Sequence, residues 1–390
     1  MTPGARVQAA IEVLDLVIEA ARGQGAPADR IISDWFRTRR FAGSKDRRAV
    51  RELAYRAIRA CGEVPASGRA AMLRVVAGDT DLGALFTGEG HAPAPIDAGE
   101  PVAPLGVAPH WLVEALADSG IAGAEAEALL DRAPLDVRLN TLRAAAAPLP
   151  EGGERTVAAQ GWRYPPETRI EDSDAYLKGV IEVQDTGSQL ACEAVGARPG
   201  ETVIDLCAGA GGKTLALAAA MDGAGTLIAC DTDRTRLQRL PPRAQRAGAD
   251  MIETLLLDPG KEAAMLARFA AAADAVLVDA PCSGTGTWRR NPEARWRLTP
   301  AALERYAAIQ SRLLDVAAGL VRPGGRLVFI TCSLLDAEGA GQAEGFLARH
   351  SGWRAEPPVL PAGSPRGSGI RLSPHRDGTD GFFIARFVRL

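Results

Sequence analysis

Residues 202–214 read Thr202-Val-Ile-Asp-Leu-Cys-Ala-Gly-Ala-Gly-Gly-Lys-Thr214, an apolar, β-branched run that breaks into glycines and then into a helical pattern. Gly209, Gly211 and Gly212 let the backbone turn tightly and approach a ligand closely. A helix starting near Gly212 offers free N–H groups to a polar or anionic group. A phosphate-cradling P-loop would need glycine at 207, where the chain has Cys207, so the triphosphatase pattern fails. About 20 residues further on, a second apolar run ends beside Asp231, where an acid commonly binds ribose hydroxyls. Together these predict adenine-nucleoside binding, and the loop alone does not separate NAD from S-adenosylmethionine. Asp258, after the next strand-like run, is a candidate for the adenine side.

Outward from this loop, strands and helices alternate from about residue 187. Strand candidates are 202–206, 226–230, 253–257, 275–278 and 326–330, with a last one at 381–390. This predicts an α/β, doubly wound domain of mostly parallel strands, with its ligand beyond the strand C-terminal ends. Upstream, 110–190 reads as a small α+β unit and the Gly/Pro-rich stretch before it as a linker. Residues 5–60 read as helices: Val7, Ile11, Leu14 and Ile18 recur at helical spacing, and Ser44 is the expected N-cap of a third helix. This segment holds 12 Arg and Lys against 7 Asp and Glu, with a dense run of Arg37, Arg39, Arg40, Lys45, Arg47, Arg48 and Arg51. Such a run is either a solvated helix face or a phosphate-binding patch.

Composition bounds the rest. The chain has 390 residues and a formal net charge of −3, which excludes a strongly basic, histone-like binder. Of 45 basic residues four are Lys (45, 178, 213 and 261), a bias that a GC-rich genome explains. No run of 18 apolar residues suggests a membrane span, and the N-terminus lacks the order of a secretory signal. Six Cys with no C-x-x-C pair, and four His, predict neither a disulfide scaffold nor a metal site. Reduced thiols and a cytoplasmic location are expected, with a monomer as the default.

Two motifs carry chemistry. One strand candidate ends in Asp279-Ala-Pro-Cys-Ser-Gly-Thr-Gly286 and the next in Ile330-Thr-Cys-Ser333. Cys282 and Cys332 thus fall at the ligand-facing edge of the sheet. A lone Cys is usually a small buried hydrophobe; two at neighbouring strand ends, one with an Asp three residues before it, point to reactivity. A thiol, an acid and a methyl-donor pocket suit methylation at carbon 5 of cytosine. A thiolate adding to carbon 6 makes carbon 5 enamine-like, and an acid near N3 stabilises the adduct. The segment Trp288-Arg-Arg-Asn-Pro-Glu-Ala-Arg-Trp-Arg297 follows Cys282, and Arg289, Arg290, Arg295, Trp296 and Arg297 are its candidate RNA contacts. Lys213 is a candidate for neutralising phosphate or tuning a thiol.

With Gln184-Asp-Thr-Gly-Ser-Gln-Leu190 and Asp380-Gly-Phe-Phe383, these motifs resemble the Fmu/Sun-type RNA cytosine-5 methyltransferases over most of 110–390. The resemblance implies a Rossmann-like class I methyltransferase domain at 191–390 and a small α+β subdomain at 110–190. It also implies a shortened, all-α NusB-like RNA-binding domain at 1–85, joined by a linker at 86–109. Cys332 is implied as nucleophile, Cys282 as the thiol that helps release product, and Asp279 as a contact to the base. Cys207, Ala208, Gly209, Ala210, Gly211, Gly212 and Lys213, with Asp231, Asp258 and Asp279, are implied to hold S-adenosyl-L-methionine. DNA cytosine methyltransferases instead use the Pro-Cys thiol as nucleophile, the alternative assignment. The implied target is ribosomal RNA of the small subunit; the alternatives are a tRNA target or a non-catalytic RNA-binding assembly factor. The chain departs from the family at Ala210, where Pro is frequent, and at Glu338-Gly339, where Glu-Asn is usual.

Overall fold

In the computed structural model, which describes residues 1–23 and 25–390, the chain partitions into two units. One comprises Met1–Arg132 with Thr287–Thr299, the other Ala133–Gly286 with Pro300–Leu390.

The first unit is helical: α1 (Pro3–Arg22), α2 (Ala28–Arg37), α3 (Ser44–Ala60) and α4 (Gly68–Val76) come first. Thr2 caps α1 by accepting from the Ala5 N–H at 3.2 Å, and Pro3 sits in the first turn, where no N–H is needed. Val7, Leu14 and Ile18 are buried at helical spacing, as the pattern predicts. The cap of α3 differs from expectation. Gly43 holds the N-cap position and Ser44 is already helical, because the Asp46 carboxylate reaches back to the Gly43 N–H at 3.2 Å. Gly68 has to be small: a Cβ there would lie 2.2 Å from the Ile11 carbonyl, so α4 crosses α1 at backbone distance.

Residues 86–109, expected as a linker, are fastened to these helices. Arg69 pairs with Glu100 at 2.7 Å, Ala103 donates to the Ala70 carbonyl at 3.1 Å, and Gly62 donates to Pro104 at 3.2 Å. Glycine and proline erase periodicity there, but the backbone groups still find partners.

The second unit holds two sheets. β1 (Leu135–Leu139), β2 (Glu154–Arg155), β3 (Gly161–Tyr164) and β4 (Ile181–Val183) form an antiparallel sheet in the order β2-β3-β1-β4. It is seated on the rest of the unit: Asn140 Nδ2 donates to both the Gly179 and Ala247 carbonyls at 2.8 Å. The larger sheet contains β5 (Thr202–Asp205), β6 (Thr226–Asp231), β7 (Ile252–Leu256), β8 (Ala273–Asp279) and β9 (Val321–Thr331). β10 (Trp353–Ala355), β11 (Ser364–Arg366), β12 (Gly369–Leu372) and β13 (Phe382–Arg389) complete it. The order is β11-β12-β13-β9-β8-β5-β6-β7, with β9 to β7 parallel and β13 antiparallel to β9. Val203, Leu227 and Leu277 pack on one face, and Ile204, Ile228 and Val276 on the other. Burial on both faces is why these strands read as continuous apolar runs. The chain order reverses between β5 and β8, which puts the ligand crevice above their C-terminal ends. Among the described residues, no helix is long and apolar enough to cross a membrane.

Candidate active site

The glycine loop leaves β5 at Asp205 and enters the helix Gly212–Ala220. Gly209 and Gly211 have φ of +56° and +86°. A Cβ on Gly209 would lie 2.5 Å from the Arg236 guanidinium, and one on Gly211 2.1 Å from Leu240 Cδ1. Both glycines are therefore obligatory for this turn. Asp231, at the end of β6, accepts the Gly209 N–H on one oxygen and the Asp233 N–H on the other, each at 2.7 Å. Asp205 is fully buried and accepts from the Thr214 hydroxyl at 2.7 Å; burial pushes it up to about 7 against that bond.

A cavity of about 530 Å³ opens above these strand ends. Cys207, Asp231, Leu257 and Pro259 line one part of it; Asp279, Cys282, Tyr306 and Cys332 line the other. Asp258 lies between two lining residues, yet its side chain is 64% exposed and 3.7 Å from Lys261. The Cys207 thiol is pushed far above its ordinary range, by burial first and then by Asp205.

Cys282 follows β8 and Cys332 follows the parallel neighbour β9, so the topology brings the two thiols together: their sulfurs are 3.4 Å apart. The hydrogen bond to Cys332, then burial, raise the Cys282 thiol well above the usual range. Asp279 ends β8 and accepts from Lys213 Nζ at 2.7 Å. Burial opposes the Lys213 charge, but Asp279, with smaller help from the Cys192 and Cys332 thiols, holds the ammonium above its ordinary range.

Beneath the thiols lies a group that sequence reasoning registered only as a departure. Glu338, fully buried, accepts from the Ser283 N–H at 2.9 Å, the Ser333 hydroxyl at 2.7 Å and the Ser283 hydroxyl. The available signal was the serine that follows each cysteine. At Gly339, where the family usually has Asn, a Cβ would lie 2.9 Å from the Phe383 ring.

Much of the Arg/Trp segment expected to contact RNA is packed inside the helical unit. Arg289, Arg295 and Trp296 are buried in the helical unit, and Trp296 joins its apolar core. Arg295 donates to the carbonyls of Ile58 at 2.6 Å and Cys61 at 2.7 Å, and Trp296 Nε1 donates to Cys61 at 3.2 Å. Arg297 donates to the carbonyls of Gly25 and Ala26, each at 2.7 Å, beyond the end of α1. Arg290 is exposed. These side chains satisfy backbone groups that helix ends leave orphaned, which explains arginine and tryptophan here without a nucleic acid. Arg295→Ala is expected to destabilise the helical unit by about 3 kcal/mol, since it removes two bonds to buried carbonyls and leaves a fully buried site empty. Urea denaturation followed by tryptophan fluorescence measures this; a midpoint equal to that of the parent chain contradicts it.

A family model described as 16S rRNA methyltransferase RsmB/F matches residues 193–388. The chain is 36% identical over 302 residues to a probable ribosomal RNA small subunit methyltransferase B of Synechocystis, covering 72% of the chain and 66% of that relative. It is 41% identical over 216 residues to ribosomal RNA small subunit methyltransferase B of Thermus thermophilus, covering 54% of the chain and 50% of the relative. The chain therefore spans only about half to two thirds of the length of these relatives. The crystal structure of PH0851 superimposes with a TM-score of 0.78 at 26% identity, covering 100% of the chain and 99% of that structure.

Proposed function

Because the chain belongs to the 16S rRNA methyltransferase RsmB/F family, we propose that it transfers a methyl group from S-adenosyl-L-methionine to carbon 5 of a cytosine in small-subunit ribosomal RNA. The single observation that carries this reading is the pair of thiols 3.4 Å apart, in one cavity with Asp231 and Asp279.

The residues present fit the donor. Asp231 suits the ribose hydroxyls, Leu257 and Pro259 offer apolar contact for adenine, and the glycine turn admits close approach of a polar tail. When bound, S-adenosyl-L-methionine supplies a methyl group activated by a sulfonium.

Cys332 adds as thiolate to carbon 6 of the cytosine, and the ring electrons move to make carbon 5 nucleophilic. Asp279 lines the same cavity, and the proton held between it and Lys213 stabilises charge building at N3. Carbon 5 takes the methyl group and then loses its proton to a base. The electrons of that C–H bond re-form the 5,6 double bond, and Cys332 departs as thiolate. Cys282, beside the departing sulfur, is the base this cavity offers once its own thiol proton has passed to solvent.

RNA has to reach the crevice as a single strand or with the base flipped out. In the helical unit Arg40, Lys45, Arg48 and Arg51 are exposed, and so is Phe41, at 75%. That combination suits phosphates and one stacked base, and we assign RNA holding to it rather than to the Arg/Trp segment.

Tritium from labelled S-adenosylmethionine should enter RNA, and bisulfite sequencing of a deletion strain against its parent should lose one methylcytosine. A lost position in tRNA, or none at all, would sink the ribosomal assignment. Asp231→Ala is expected to weaken S-adenosylmethionine binding about 30-fold, or ~2 kcal/mol, because it loses the ribose acceptor and frees the Gly209 N–H. Calorimetric titration reads this, and an unchanged Kd refutes the role given to Asp231.

A further inference from the structure

We propose that Glu338 is the positioning residue of the two-thiol site: its buried carboxylate, shared by the serines that follow Cys282 and Cys332, holds both sulfurs in their working places. Only the kinetic part of this proposal rests on the methyltransferase reading.

Glu338 lies outside the cavity, so it touches neither donor nor base. All its side-chain partners are donors. Oε1 accepts from the Ser283 N–H at 2.9 Å and from Gln310 Nε2 at 3.2 Å; Oε2 accepts from the Ser333 hydroxyl at 2.7 Å and from the Ser283 hydroxyl. Gln310 also donates to the Pro281 carbonyl at 2.9 Å, which fixes the backbone on the other side of Cys282. Proton directions follow along the network. The Thr285 hydroxyl oxygen accepts the Leu334 N–H at 2.8 Å, so its proton faces Ser333 at 3.2 Å, and the Ser333 proton goes to Glu338. No Lys or Arg pairs with Glu338 among the described residues; hydrogen bonds alone replace its water.

A charge held this way constrains two loops at once. The segments carrying Cys282 and Cys332 belong to different strands and share no covalent link. One acceptor common to both converts their separation into a property of a single side chain. The charge also lies close to Cys282, where it adds to the bond with Cys332 in keeping that thiol protonated. Cys332 is then the sulfur left to attack.

The test uses the intact chain and iodoacetamide, with site-resolved peptide mass spectrometry from neutral to alkaline pH, alone and beside methyl-transfer kinetics. Glu338→Gln keeps the shape but removes the charge and sets an amide donor against the serine hydroxyls. Cys282 should alkylate about tenfold faster at neutral pH, the effect of lowering a thiol pKa by one unit. The Cys332 profile should stay within about twofold and kcat should fall about 100-fold through misplacement, with KM for S-adenosylmethionine held. Glu338→Asp, which keeps the charge, should restore slow Cys282 alkylation. If Glu338→Gln does not fold, Ser333→Ala removes one donor, and its kcat should fall about tenfold by the same measurement. A folded variant with parental Cys282 alkylation and parental kcat overturns the proposal. So does a kcat loss matched by an equal loss of S-adenosylmethionine affinity, the mark of a merely structural role. If the parent chain methylates no RNA, the activity reading fails while the alkylation rates still decide the role of Glu338.

Discussion

Replacing Cys332 by alanine is expected to lower methyl transfer to RNA by about four orders of magnitude or more, the scale on which loss of a covalent nucleophile is felt. Without a thiolate at carbon 6, carbon 5 of cytosine stays part of an aromatic ring and has no electrons to offer. The neighbouring thiol does not rescue the reaction by proximity. Cys282 is only 3.4 Å away, but it is held protonated and its loop is tied down on both sides. S-adenosylmethionine affinity should change by no more than about threefold, because glycine loop and Asp231 are untouched and one lining thiol contributes little to a cavity of this size. Tritium transfer and calorimetric titration on the same preparation separate the two quantities. If Cys332→Ala kept a percent or more of the activity and formed an adduct through Cys282, the two thiols would have to exchange roles.

The parts of this site legible in the sequence are those built from neighbouring residues. The turn from β5 into its helix could be read because Gly209 and Gly211 stand a few positions from the strand that precedes them. The pairing of Cys282 with Cys332 could be read because both end strands, and strand order in a doubly wound sheet follows few patterns. What stayed hidden depends on long-range contact. The bonds from Arg295 to Ile58 and Cys61 span 237 and 234 positions. No local pattern marks that 287–299 leaves the methyltransferase sheet to join the helices. An arginine satisfying carbonyls and one awaiting phosphate look the same in a sequence, since both roles use the same fork of donors. Glu338 was hidden for a different reason: a buried acid whose partners are serines leaves no charge pattern. The basic patch of α3 was legible as charge, but the 75% exposure of Phe41 was not.

Loss of Cys282 should have the opposite outcome to loss of Cys332: the first half of the reaction proceeds and the second stalls. In the free protein Cys282 is held protonated largely by Cys332, through the hydrogen bond between them and the charge of its partner. Once Cys332 is bonded to carbon 6 it carries no charge and offers only a poor acceptor. Both influences vanish, the Cys282 thiol gives up its proton to solvent more readily, and the thiolate left behind is the base that takes the proton of carbon 5. The adduct therefore prepares its own base. With Cys282→Ala the proton on carbon 5 has no such acceptor, the 5,6 double bond does not re-form, and the Cys332–RNA bond persists. Turnover should fall about 100- to 1000-fold, the usual share of a positioned base. A covalent complex approaching one RNA per protein should survive denaturing electrophoresis with labelled RNA. The double replacement of Cys282 and Cys332 should abolish that band, because the bond it reports is the one Cys332 makes. A band that appears with Cys332→Ala and is absent with Cys282→Ala would reverse the assignment, and with it the direction of the proton between the two sulfurs.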